Sequence, residues 1–206
     1  FKEIVIKGAW KVHSYNYKGE IINGWPVFRG GYVFSGGSLP PVSIGDIDSD
    51  FELEIVSGSS QYKEGENWGE EPLDNCGYAF ENNGDLINNW PVKCSLYDNQ
   101  GSWGLGASTV VLADLDKDQH LESIGYNEGP TALTSNDWGY LYAFKSDGSL
   151  LNGWPVLREV KNGFFPISDP VVGDIDNDGA LEIVIITTDS TGNPYITILN
   201  PAGGIK

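Results

Sequence analysis

Residues 173–184 read Gly173-Asp174-Ile175-Asp176-Asn177-Asp178-Gly179-Ala180-Leu181-Glu182-Ile183-Val184. Counting from Asp174, aspartate stands at positions one, three and five, glycine at six and glutamate at nine. The run Pro170 to Gly173 enters this segment and the β-branched run Leu181 to Ile186 leaves it, which predicts two short strands joined by an acidic turn. Oxygen donors at alternating positions of a tight loop converge, and a hard cation of calcium's size accepts six to eight of them. Carboxylates crowded this closely repel one another by up to ~4 kcal/mol per pair at an effective dielectric of about 20, so a loop that keeps them inward calls for a cation.

The pattern occurs three times. Gly45-Asp46-Ile47-Asp48-Ser49-Asp50-Phe51-Glu52-Leu53-Glu54-Ile55-Val56 and Ala113-Asp114-Leu115-Asp116-Lys117-Asp118-Gln119-His120-Leu121-Glu122-Ser123-Ile124 repeat it. Between the loops a second motif recurs, Asn23-Gly24-Trp25-Pro26-Val27, Asn88-Asn89-Trp90-Pro91-Val92 and Asn152-Gly153-Trp154-Pro155-Val156, with its tryptophans 65 and 64 residues apart. Self-similarity at such a period marks a repeat architecture.

Each unit supplies four strand candidates. One enters the acidic loop (Pro41 to Gly45, Ser108 to Ala113, Pro170 to Gly173) and one leaves it (Leu53 to Val56, Leu121 to Ile124, Leu181 to Ile186). A third alternates aromatic and small residues (Val12 to Tyr17, Gly77 to Phe80, Tyr140 to Phe144) and ends in the turn Lys18-Gly19, Asn83-Gly84 or Asp147-Gly148, a hairpin signal. The fourth runs into Trp-Pro-Val, where proline suits an outer edge. The expected fold is all-β, a β-propeller of four-stranded antiparallel blades, with units over about 1–28 (partial), 39–92, 107–156 and 167–206 (partial). Glu3 matches Glu54 and Glu182, so the first unit lacks its first strand, and Asn200-Pro201-Ala202-Gly203-Gly204 reads as the turn before a fourth strand. Since closure takes at least about four blades, about three blades' worth of chain is expected to be completed by further chain or by neighbouring subunits. The opening Phe1-Lys2-Glu3-Ile4-Val5-Ile6 is neither a signal peptide nor an initiator methionine, so the true N-terminus is expected to have been removed or to lie upstream.

The candidate metal ligands are Asp46, Asp48, Asp50 and Glu54 in the first loop, Asp114, Asp116, Asp118 and Glu122 in the second, and Asp174, Asp176, Asp178 and Glu182 in the third. The backbone carbonyls of Glu52, His120 and Ala180 would complete the three shells. Up to three calcium ions are expected, best held at Asp174–Glu182, where Gly179 supplies a permissive backbone that Phe51 and Gln119 do not. Magnesium, which keeps its own waters, suits the loops less well, and the acid at nine rather than twelve separates them from the EF-hand. The alternative is three solvated acidic turns without metal.

These Asp-x-Asp-x-Asp-Gly-x-x-Glu loops, preceded by Gly-Asp and followed by Ile-Val, resemble the FG-GAP/VCBS-type repeats of integrin-α-like propellers, and Asn-Gly-Trp-Pro-Val resembles secreted bacterial and archaeal members of that group. The resemblance covers essentially the whole chain. It implies calcium clipping the first hairpin of each blade and an extracellular or cell-surface module for adhesion, protein or carbohydrate binding, or scaffolding. It equally accommodates the propeller part of a secreted enzyme such as a polysaccharide lyase or peptidase, and a subunit of a filament or ring. Phe51 and Gln119 depart from the family's glycine.

Composition sets further bounds. Twelve Lys and Arg against 29 Asp and Glu give a formal net charge of −17, which repels nucleic acid and anionic membranes. No apolar run approaches the ~18 residues of a membrane span, so no membrane insertion is expected. Cys76 and Cys94, the only cysteines, flank the hairpin turn at Asn83-Gly84. A disulfide between them would close a loop of about 19 residues, contribute roughly 3 kcal/mol in the chain-entropy model and fit an oxidising compartment; two buried thiols are the alternative. Trp25, Trp90 and Trp154 share one repeat position and are read as packing between blades, whereas Trp68 and Trp138 fall in polar loops and are candidates for stacking on sugars or anchoring a protein. Local loop packing is the simpler role for that pair. His13 reads as a surface strand residue and His120 as a loop residue using only its carbonyl. No Gly-x-Ser-x-Gly elbow, zinc signature or phosphate loop is present, so no catalytic residue is assigned.

Overall fold

The β-branched and aromatic runs pair as the alternation requires. The structure, a computed structural model, describes residues 3–8, 11–28, 41–58, 75–93, 109–127, 138–159, 168–188 and 193–206. These residues form strands and turns with no helix, and hence no helix long and apolar enough to cross a membrane. The first sheet contains β1 (Glu3–Lys7), β2 (Lys11–Asn16) and β3 (Val27–Phe28), and the second β4 (Ser43–Gly45), β5 (Glu54–Gly58), β6 (Asn75–Phe80) and β7 (Val92–Lys93). The third contains β8 (Val111–Ala113), β9 (Glu122–Asn127), β10 (Trp138–Phe144) and β11 (Val156–Glu159), and the fourth β12 (Val171–Gly173), β13 (Glu182–Thr188) and β14 (Pro194–Leu199). Every sheet is antiparallel, with strands in chain order. The protein is therefore all-β, four small sheets of three or four strands among the described residues.

Apolar faces of consecutive sheets meet to form three separate cores. Val12 and Trp25 of the first sheet region pack with Ile55, Tyr78 and Phe80 of the second. Val56, Ala79, Ile87 and Trp90 then pack with Val110, Tyr142 and Phe144 of the third. Ile124, Leu141, Leu151 and Trp154 complete the series with Ile183, Ile185 and Leu199 of the fourth. Each of the two central sheets thus buries both faces, which is why β5 has no exposed position at all.

The recurring tryptophans join one sheet to the next. Trp25, Trp90 and Trp154 are all buried, and each indole Nε1 donates to a carbonyl on the hairpin of the following sheet: Asn82 at 2.9 Å, Ser146 at 2.8 Å and Pro201 at 2.8 Å. Trp25 and Trp90 also meet Phe80 and Phe144 edge-on, at centroid distances of 6.0 and 6.4 Å. One residue therefore supplies a large apolar surface and a directional bond at each junction. The approach is close: a Cβ at Gly24, where φ is 89°, would lie 1.8 Å from the Asn83 carbonyl oxygen.

The expected hairpins form: Gly19, Gly84, Gly148 and Gly203 each donate to the carbonyl three residues back (Asn16, Glu81, Lys145, Asn200) and take positive φ. This is a three-residue loop, a type I turn closed by a glycine bulge. The fourth strand differs from the sequence expectation in being broken: Ile21, Leu86 and Leu150 make isolated bridges to Tyr15, Phe80 and Phe144, a turn closed by the tryptophan N–H follows, and pairing resumes only after the proline. Proline, with no N–H to donate, falls in the gap that this turn opens in the ladder. Of the cysteine pair, Cys94 lies outside the described residues, as does Trp68; Trp138 begins β10.

Replacing Trp90 by Phe keeps an aromatic ring but leaves the Ser146 carbonyl without its donor. The expected loss is about 1–3 kcal/mol, read as a lower urea midpoint at unchanged slope. A midpoint within error of the parent would show that the indole bond does not hold the junction.

Candidate metal centres

All three acidic loops adopt one conformation, and the buried glutamate at position nine explains it. Glu54, Glu122 and Glu182 have no solvent exposure. Each is the first residue of the strand leaving the loop, and one carboxylate oxygen accepts the backbone N–H of position two: Ile47 at 2.8 Å, Leu115 at 2.8 Å and Ile175 at 3.0 Å. The aspartate at position one then accepts the N–H of position six, from Phe51 at 3.0 Å, Gln119 at 3.1 Å and Gly179 at 2.9 Å. The aspartate at five caps the N–H of seven, from Glu52 at 2.7 Å, His120 at 2.9 Å and Ala180 at 2.8 Å. The buried glutamates Glu54 and Glu122 thus use one oxygen to fold the loop and leave the other unengaged.

Position six takes positive φ in every loop, 73° at Phe51, 75° at Gln119 and 84° at Gly179. Glycine accepts this freely, whereas side-chain-bearing residues enter it under strain. The loop geometry that the third sequence suggests is therefore enforced in the other two by the surrounding carboxylate bonds. Phe51 is 96% exposed and gains no burial in return.

Carboxylate oxygens converge within 4.8 Å of one another in three groups: Asp46, Asp48 and Asp50; Asp114, Asp116 and Glu122; Asp174, Asp176 and Glu182. Each group could hold a metal ion. In the first, the charges of Asp48 and Asp50 act on Glu54; in the other two the fifth-position acids are drawn to lysines. Lys145 Nζ lies 2.5 Å from Asp116 Oδ2 and 3.1 Å from Asp118 Oδ2. Lys206 Nζ lies 2.6 Å from Asp176, 3.3 Å from Asp178 and 2.8 Å from Glu182 Oε1. Glu52, expected to act through its carbonyl, has its carboxylate bonded to the Asn82 amide.

The donor set fits a cation on an observation independent of the clustering. Glu54 Oε1 and Glu122 Oε1 are buried and have no hydrogen-bond partner, as do Asp48 Oδ1 and Asp114 Oδ1. Buried carboxylate oxygens without a partner are strongly unfavourable unless a charge compensates them. Burial, opposed by the Ile47 N–H and reinforced by Asp48 and Asp50, pushes the Glu54 carboxyl up to about 7. Glu122 is pushed up to about 7 by burial as well, against the Leu115 N–H. The lysine contacts hold Lys145 and Lys206 above the ordinary ammonium range.

Three residues of these centres escaped the sequence reading: Glu81, Lys145 and Lys206. The first two follow the third strand, and pairing Ile55 with Phe80 and Ser123 with Phe144 sets them opposite Glu54 and Glu122. The signal was present in the sequence as the residue after Phe80 and Phe144, and becomes readable only once the strand register is known. Neighbouring loops also touch, through Ser49 Oγ to the Gln119 carbonyl at 2.7 Å.

Substituting Glu122 by Gln keeps an oxygen for the Leu115 N–H and removes the buried charge. Without divalent ions at pH 8, this variant should melt a few degrees above the parent, and with millimolar divalent ions a few degrees below it. A variant less stable under both conditions would show that the charge is compensated within the chain. No protein-family model, curated protein or solved structure matches the chain.

Proposed function

We propose that this chain is a calcium-binding part of an extracellular β-propeller that presents a surface to a protein or carbohydrate ligand, in adhesion or scaffolding, and does not itself catalyse. The observation that carries the calcium reading is the pair of buried, unpartnered oxygens, Glu54 Oε1 and Glu122 Oε1, in two loops whose acids converge. Hard oxygen donors in a flexible, many-ligand shell match calcium better than magnesium or a transition metal. Extracellular calcium, at millimolar level, suits loops in which some donors are strained. In this reading the ion fastens the first hairpin of the second, third and fourth sheets, and the loops carry recognition. Trp138, at the start of β10, remains a candidate for ligand contact.

The propeller reading is supported by the outer faces of the end sheets. Ile175 is 52% exposed, whereas its counterparts Ile47 and Leu115 are 0% and 2% exposed because another sheet covers them. Ile196 is exposed where its counterpart Leu141 is buried, and Ile4 and Ile6 are exposed where Ile183 and Ile185 are buried. Both ends thus carry the apolar pattern that the inner sheets bury, as expected if further sheets pack there, from the rest of a propeller or from neighbouring copies.

Thermal melting in calcium and in excess EDTA tests the calcium reading. Each ion at a hundred times its dissociation constant adds about 2.7 kcal/mol, so the midpoint should fall by several degrees in EDTA. An unchanged midpoint contradicts structural calcium. Solution mass over a range of concentrations addresses the end faces: growth beyond the single chain supports packing between copies, and a constant monomer mass assigns that cover to further chain.

A further inference from the structure

The three loops share their own carboxylates but differ in what faces them. Continuing the register one step beyond the pairs Ile55–Phe80, Ser123–Phe144 and Ile183–Leu199 brings Glu81, Lys145 and Asn200 opposite Glu54, Glu122 and Glu182. Glu81 is half-buried and its charge acts on Asp48, Asp50 and Glu54, which places a further carboxylate at the first loop. At the second loop the same position contributes an ammonium, with Lys145 Nζ within 3.1 Å of both Asp116 and Asp118. At the third, Asn200 is spent on the turn, where it accepts the Gly204 N–H at 3.0 Å. The ammonium there comes from Lys206, which stands at the repeat position filled by the apolar Ile22, Ile87 and Leu151 in the other sheets.

Resting on the metal-binding reading above, we propose that these facing residues rank the loops. Glu81 is a further cation ligand that makes Asp46–Glu54 the tightest site, and Lys145 and Lys206 are tethered ammonium groups that a divalent ion must displace from Asp114–Glu122 and Asp174–Glu182. Backbone freedom at Gly179 alone would rank the third loop first; the facing charges outweigh it. An added carboxylate brings two more donor oxygens to a cation that takes six to eight. A fixed ammonium beside the same oxygens opposes the ion directly and uses lone pairs it would need. The second and third sites would then fill only where calcium is abundant, while the first stays loaded at lower levels.

The test is calcium titration of the full chain, followed by amide NMR. The Phe51, Gln119 and Gly179 N–H groups each bond to the first aspartate of their own loop, so each signal reports one site. Phe51 should saturate at free calcium roughly tenfold or more below Gln119 and Gly179. Lys145→Gln should move the Gln119 transition about tenfold lower and leave Phe51 in place, and Glu81→Gln should move Phe51 about tenfold higher. Phe51 saturating last, or Gln119 indifferent to Lys145→Gln, overturns the ranking while leaving calcium binding intact. Three amides unmoved in millimolar calcium overturn the metal-binding reading itself, and the ranking with it. Because Lys145 is partly exposed, its variant keeps the question decidable if Glu81→Gln does not fold.

Discussion

A carboxylate with no access to water holds each acidic loop closed. Glu54, Glu122 and Glu182 accept the N–H of the second loop residue and so fix the path of the chain between the first two strands of the second, third and fourth sheets. The same burial leaves Glu54 and Glu122 each with an oxygen that nothing in the chain satisfies. Structure and binding are therefore one constraint: the bond that shapes the loop also carries a negative charge into a place where it needs a counter-charge. Lysines answer part of that need at the second and third loops; at the first, Glu81 increases it.

The sheets are joined by a different device. Each indole of the Asn-x-Trp-Pro motif fills an apolar junction and bonds to the hairpin of the next sheet, so the motif that ends one sheet also positions its neighbour. The acidic loops, carried by the first two strands, inherit that spacing and lie against one another, as the Ser49 to Gln119 bond shows.

Much of this was legible in the residues because it is local. The aspartates at one and three converge in every loop, joined by five in the first and by the glutamate at nine in the other two, Gly179 takes the positive φ its position calls for, and Trp25, Trp90 and Trp154 pack at the junctions. What was hidden depends on pairing between distant segments. Lys145 and Glu81 are unremarkable in sequence, one residue past an aromatic strand, and gain meaning only when Glu122 and Glu54 lie across from them. The hairpin at Asn83-Gly84 was legible as a hairpin, while its three-residue length follows from the closing bond from Gly84 to Glu81. Phe51 and Gln119 showed the opposite bias, since a residue that dislikes positive φ still adopts it when carboxylates on both sides hold the backbone.

Diffraction from crystals grown in millimolar calcium, recorded at a wavelength where calcium scatters anomalously, decides whether the buried glutamates face a cation. The account predicts a peak in the acidic loops at about 2.3–2.6 Å from the aspartate oxygens, with Glu54 and Glu122 turned toward it. A map without peaks, showing the aspartates fanned into solvent and the glutamate oxygens bonded to water or protein, would contradict it.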